Sequence, residues 1–212
     1  MKMRTWIAAF ATVAAVAGCG GDYPTAPTVG FDPAVVTLRE VAGTGFKELV
    51  DERLVFVDSA GVAWIAPKGT LTDGASVPRL ALWLTDGRYD DGFLKAAVIH
   101  DAYCQVDNRD RCPAQYRTRP WRDVHRMFYE AALAGGTPPT LARIMYAAVW
   151  LGGPRWDDPA RSLDHVPDDA LRAVFEDCKR WIEANDPTVE EVEAWMEKRE
   201  RQLLERPTPA SL

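Results

Sequence analysis

Gly92-Phe93-Leu94-Lys95-Ala96-Ala97-Val98-Ile99-His100-Asp101-Ala102-Tyr103-Cys104-Gln105 is a mostly apolar run with a His-Asp pair inside it. It is apolar on nearly every side, which predicts a buried helix rather than an amphipathic surface one. A His-Asp pair in the middle of such a helix is costly to bury without partners. His100 shares a face with Phe93, Ala96, Ala97, Tyr103 and Cys104, whereas Asp101 is rotated by about 100°. One helix therefore presents an imidazole and a carboxylate to two sides of a single cavity.

The chain before this helix reads as strand and the chain after it as helix. Residues 34–39, 49–57 and 62–66 are rich in β-branched side chains, with turn signals at Gly43-Thr44-Gly45 and Ser59-Ala60-Gly61. They predict a small antiparallel sheet, followed by a polar loop over 67–79. Downstream, 121–134 is amphipathic and stops at Gly135-Gly136. A third helix opens at Pro138-Pro139 after a cap at Thr137, and Gly152-Gly153-Pro154 ends it. Two more helices follow over 168–184 and 187–205, the last with Asp186 as its cap and a charged face read as solvated. The fold class expected is α+β: a small antiparallel sheet packed against a mainly helical half. A core domain over 34–160 would carry a helical extension over 161–212.

At 212 residues, with 47% apolar and 26% charged, the composition is that of one globular domain with appendages. A net charge of −6 argues against a nucleic-acid partner, which needs a basic surface. Lys2 and Arg4 precede an apolar stretch over 6–16 that is too short to span a bilayer. With the small pair Ala17-Gly18 this is the order of a secretory signal peptide over 1–18. Its removal takes two positive charges and no acid, so the net charge moves from −6 to −8. Residues 19–33, rich in Gly, Pro and Thr, read as a tether.

Two histidines fall where helical geometry makes them informative. In the second helix Trp121, Val124, Phe128, Ala131 and Ala132 form the apolar stripe, and His125 lies within it. Asp123 sits on the polar side with Arg126, Met127 and Glu130. Two inward histidines on neighbouring helices are the candidate catalytic pair, His100 and His125. Upstream, Thr72-Asp73-Gly74-Ala75-Ser76-Val77-Pro78-Arg79 is a turn that would bring Asp73 toward Asp101 as oxygen ligands. Gly74, Ser76, Arg79 and, on the helix, Tyr103 would stand near the site. Oxygen ligands suit calcium, and a mixed His and Asp set suits zinc. Cys104 and Cys112 flank a polar loop and are expected to pair as a disulfide, leaving Cys178 as a buried thiol. The tryptophans Trp83, Trp121, Trp150, Trp156, Trp181 and Trp195 read as core and helix contacts.

Three resemblances bear on these residues. Val16-Ala17-Gly18-Cys19 resembles the lipobox of bacterial lipoproteins, which implies lipidation of Cys19 and a membrane-anchored place in the cell envelope. Gly20 rather than aspartate after that cysteine implies the outer membrane, facing the periplasm. Pro67-x-Gly69-x-x-Thr72-Asp73-Gly74-Ala75-Ser76-Val77-Pro78, then His100-Asp101-x-Tyr103, Phe128 and Arg143-x-x-Tyr146 resemble the bacterial and phage family called domain of unknown function 1353. That family often carries an aspartate three residues before the phenylalanine, where this chain has His125. More loosely, His100-Asp101-x-x-Cys104 is similar to the His-Asp helix of secreted phospholipases of the A2 type. That likeness implies His100 as base, Asp101 as calcium ligand and an orienting group near His125. The cysteine-rich run and glycine-dense calcium loop of those enzymes are absent. The readings that follow are a metal-assisted hydrolase acting on an ester or amide of lipid or cell wall, or a non-catalytic, phage-derived envelope binding module. In the second, the same residues form a buried structural network.

Overall fold

Alternation of large apolar and polar side chains builds the strands. The computed structural model describes residues 28–73 and 91–205. Among these residues six strands, β1 (Gly30–Asp32), β2 (Leu38–Glu40), β3 (Lys47–Leu49), β4 (Arg53–Val57), β5 (Ala63–Pro67) and β6 (Leu71–Thr72), form two antiparallel sheets of three. One has the order β1-β4-β5 and the other β2-β3-β6. In the first sheet Leu54 is opposite Ala66, and Phe56 is opposite Trp64. All four are buried, so one face of the sheet is core while Arg53 and Ala63 stay exposed. The single sheet expected from the sequence is thus two, and β1 lies in the stretch read as tether.

Among the described residues five α-helices follow: α1 (Asp91–Cys104), α2 (Trp121–Ala134), α3 (Pro139–Gly152), α4 (Asp168–Asn185) and α5 (Val189–Leu204). From Ala96 to Cys104 every residue of α1 is buried. The helix earns that burial by packing against α2 on one side and against β4, β5 and β6 on the other. α3 in turn contacts α2, α4 and α5. Trp121 and Trp150 meet edge to face at 5.0 Å, and Trp181 stacks on Trp195 at 5.9 Å between α4 and α5. Among the described residues no helix is long and apolar enough to cross a membrane.

Two local expectations are corrected. The cap of α5 is Thr188, not Asp186. Thr188 Oγ1 accepts from the Glu191 N–H, and the Glu191 carboxylate accepts from the Thr188 N–H. Asp186 instead closes α4 in the left-handed region, at φ 44°, with its N–H donating to the Ile182 carbonyl. α3 begins at Pro139 with Pro138 as cap and no side-chain capping bond, so Thr137 does not cap it. The charged face of α5 is also not simply solvated. Glu193 and Glu190 accept from Arg126, Glu197 from Arg122, and Glu200 is 1% exposed.

Candidate functional site

Where α1 packs on α2, each helix turns one imidazole into the contact. His100 Nε2 and His125 Nδ1 lie 3.0 Å apart, so one ring donates and the other accepts. Both rings are buried. Aromatic walls fix their planes: Phe128 meets His100 at 5.3 Å, and Trp121 and Trp156 meet His125 at 5.3 Å and 6.2 Å. On its far edge His125 Nε2 is buried with no hydrogen-bond partner among the described residues. Gly153, at the end of α3, presses against that edge. Burial holds His125 well below the usual imidazole range; the charges of His100 and Arg155 act in the same direction, and the Pro154 backbone opposes them. His125 is therefore neutral at pH 7, a fixed hydrogen-bonding partner for His100.

The other edge of His100 faces polar groups of its own helix. Its Nδ1 lies 3.2 Å from Cys104 Sγ and 3.5 Å from Asp101 Oδ1. The four-residue spacing puts His100 and Cys104 one turn apart on one face. Asn108, buried just after α1, donates to the carbonyls of Asp101 and Leu71 and accepts from the Leu71 N–H. That clamp ties the end of α1 to β6 and so places Asp73, which follows β6, near the same end. Burial and then the Asp101 and Asp73 carboxylates push the Cys104 thiol well above its ordinary range, while Arg117 acts in the opposite direction.

A cavity of about 230 Å³ lies against His100 and Cys104. Its floor is His100 and Cys104, both buried, and its rim includes Arg117 and Val106, both exposed. Gly153 and Pro154 form another wall. Arg117 has φ 55°, in the left-handed region, and its backbone N–H donates to the Tyr103 carbonyl at 2.8 Å. A non-glycine residue held there costs on the order of 1 kcal/mol or more. The fold thus fixes the Arg117 backbone at the mouth of a cavity floored by an imidazole and a thiol, with a carboxylate beside them.

Behind His125 lies a second buried network. Glu200 pairs with Arg155 at 3.2 Å, accepts from Arg161 Nε at 2.5 Å and accepts from Trp150 Nε1 at 3.0 Å. Arg155 also donates to the carbonyls of Trp150 and Arg161.

The structure brings His100, His125, Asp101 and Cys104 together, with Asp73 near enough for its charge to reach Cys104. Tyr103 belongs elsewhere: its hydroxyl accepts from the Ile65 N–H and its ring meets Trp64, so it braces β5. Cys104 and Cys112 are not paired as expected; both are free, buried thiols. Cys104 turns back onto His100, whereas Cys112 Sγ lies 3.3 Å from Thr70 Oγ1. Cys178 is a buried free thiol as well. Cys19, Gly74, Ser76, Arg79 and Trp83, with the whole 1–18 segment, lie outside the described residues. Arg117, Gly153, Arg155 and Glu200 were not singled out by the sequence reading. The only trace of them was Gly152-Gly153-Pro154, read there as a helix stop alone.

Two curated proteins of Sinorhizobium fredii (strain NBRC 101917 / NGR234) are similar to this chain. Uncharacterized protein y4iH is 38% identical over 119 residues, which is 56% of this chain and 46% of that protein. Uncharacterized protein y4jT is 38% identical over 101 residues, 48% of this chain and 27% of that protein. The chain thus spans less than half the length of either relative. No solved structure matches. The stretch that carries His100, Asp101, Cys104 and His125, residues 49–149, matches the family described as Protein of unknown function (DUF1353).

Proposed function

We propose that this chain is a hydrolase of the cell envelope that cleaves an ester or amide bond of a lipid or cell-wall component, with water activated beside Nδ1 of His100. The observation that carries the reading is the 3.0 Å contact of His100 Nε2 with a neutral, aromatic-walled His125 on the floor of a cavity. Holding Nε2 fixes the ring and leaves Nδ1, beside Cys104, as the nitrogen to activate water. As the water oxygen bonds to the carbonyl carbon, the C–O or C–N bond breaks. The proton lost by the water passes to the leaving alcohol or amine. Arg117 at the rim supplies positive charge for the carbonyl oxygen that becomes negative on the way. The signal-peptide order over 1–18 and the lipobox-like Cys19 support a lipid-anchored location, on the periplasmic side of the outer membrane.

The test is turnover of a panel of chromogenic acyl esters and amides, phospholipid vesicles and cell-wall fragments by the purified chain. His100→Ala should abolish turnover with the circular dichroism spectrum unchanged, and His125→Ala should reduce it about 100-fold. Turnover that survives His100→Ala would overturn the proposal. Full burial of both rings favours one second reading, a non-catalytic envelope-binding module in which the pair is a polar strut. Loss of folding in His100→Ala, with no turnover by the parent, would decide for it.

A further inference from the structure

We infer that His100 Nδ1, Asp101 and Cys104 Sγ are three ligands of a zinc-class divalent cation whose fourth position faces the cavity. One ligand atom from each residue lies within 4.8 Å of the others, and all three side chains are buried. In a tetrahedral zinc site, bonds of about 2.0–2.3 Å put neighbouring ligand atoms roughly 3.3–3.7 Å apart. The contacts of His100 Nδ1 with Cys104 Sγ, 3.2 Å, and with Asp101 Oδ1, 3.5 Å, match that spacing to within tenths of an ångström, and the Asp101 carboxylate has to close on the thiolate from within 4.8 Å.

The donor chemistry selects the cation. A thiolate and an imidazole prefer zinc-class ions, whereas calcium takes six to eight oxygens. Three protein ligands beside an open cavity is the pattern of a zinc site that keeps a position for water or substrate. A ligating imidazole is normally held through its other nitrogen, and here His125 Nδ1 holds Nε2. Asp73 adds a further negative charge at the same end of α1. Binding releases the Cys104 proton to solvent. The inference shares His100 with the proposed hydrolase: with the cation bound, Nδ1 would be a ligand rather than the base, and the cation would supply Lewis-acid activation of water in its place, so binding stands or falls separately from turnover.

Cobalt(II) titration of the purified full chain tests it. The expected result is one equivalent bound, with a near-ultraviolet sulfur-to-cobalt charge-transfer band. Cys104→Ser should remove that band, whereas Cys19→Ser, Cys112→Ser and Cys178→Ser should keep it. Asp101→Asn should weaken binding about tenfold or more. If Cys104→Ser fails to fold, zinc titration of the parent still decides, because a site of this kind raises the melting temperature. A parent with no stoichiometric cobalt band and no zinc-dependent stabilisation would overturn the inference, as would a band that persists in folded Cys104→Ser. Chelator-resistant turnover without cobalt binding would remove the cation and leave the hydrolase. Stoichiometric binding without turnover would do the reverse.

Discussion

A Cβ on Gly153 would stand 2.6 Å from His125 Nε2 and 2.8 Å from Cε1, and closer still to the Val149 carbonyl oxygen. The end of α3 is therefore packed directly on the imidazole that holds His100. Gly153→Ala must displace the ring or the backbone, and overpacking of this kind costs about 1–3 kcal/mol. Denaturant melts and the imidazole resonances of His125 check it. A variant with parental stability and unmoved resonances would show that this wall yields freely.

Glu200 is 1% exposed and receives Arg155, Arg161 and Trp150. Glu200→Gln keeps the shape but leaves the buried Arg155 without its counter-charge. Breaking a buried pair on one side destabilises by about 3–5 kcal/mol. The same change at exposed Glu183 should stay within about 0.5 kcal/mol. Equal effects at the two positions would refute the buried network.

Burial pushes the Cys178 thiol up to about 12 from an ordinary value of 9.0. Below pH 9 the thiol is neutral in both states and pH has no effect through it. Between pH 9 and 12 only the unfolded chain ionises, so stability falls as pH rises, by up to about 1.4 kcal/mol per pH unit. Parent and Cys178→Ala stability should therefore converge on going from pH 9 to pH 11, by about 2 kcal/mol. Parallel curves would mean that the thiol ionises in place.

Cys104 and Cys112 face different partners, His100 and Thr70. Peptide mapping without reductant should find each as a separate thiol, alkylated slowly in the native chain and rapidly after unfolding. A linked peptide spanning the two would contradict the arrangement.

Much of the helical half is legible in the sequence because its signals are local. The apolar run around His100 marks α1, the stripe ending at Gly135-Gly136 marks α2, and the proline pair and glycine pair bracket α3. His125 is recognisable as inward because it interrupts that stripe. The second sheet is not legible, since β2, β3 and β6 are two or three residues long, too short for alternation to show. Asp186 and Thr188 are both good capping types, and only the reciprocal bond with Glu191 distinguishes them. The roles of Gly153 and Glu200 depend on contacts with His125 and Arg155, residues distant in sequence, so no local pattern announces them. Arg117 needs both the turn that fixes its backbone and the cavity beneath it.

The segment of family likeness ends at residue 149, inside α3, yet Arg122 finds its counterion on α5, and Arg126 finds two there besides Glu130 of its own helix. Among the described residues, three of the four carboxylates that pair with these arginines thus lie outside that segment. Grafting it alone into a relative would carry over two arginines and leave Glu190, Glu193 and Glu197 behind. A functional transplant has to move α5 together with the histidine helices.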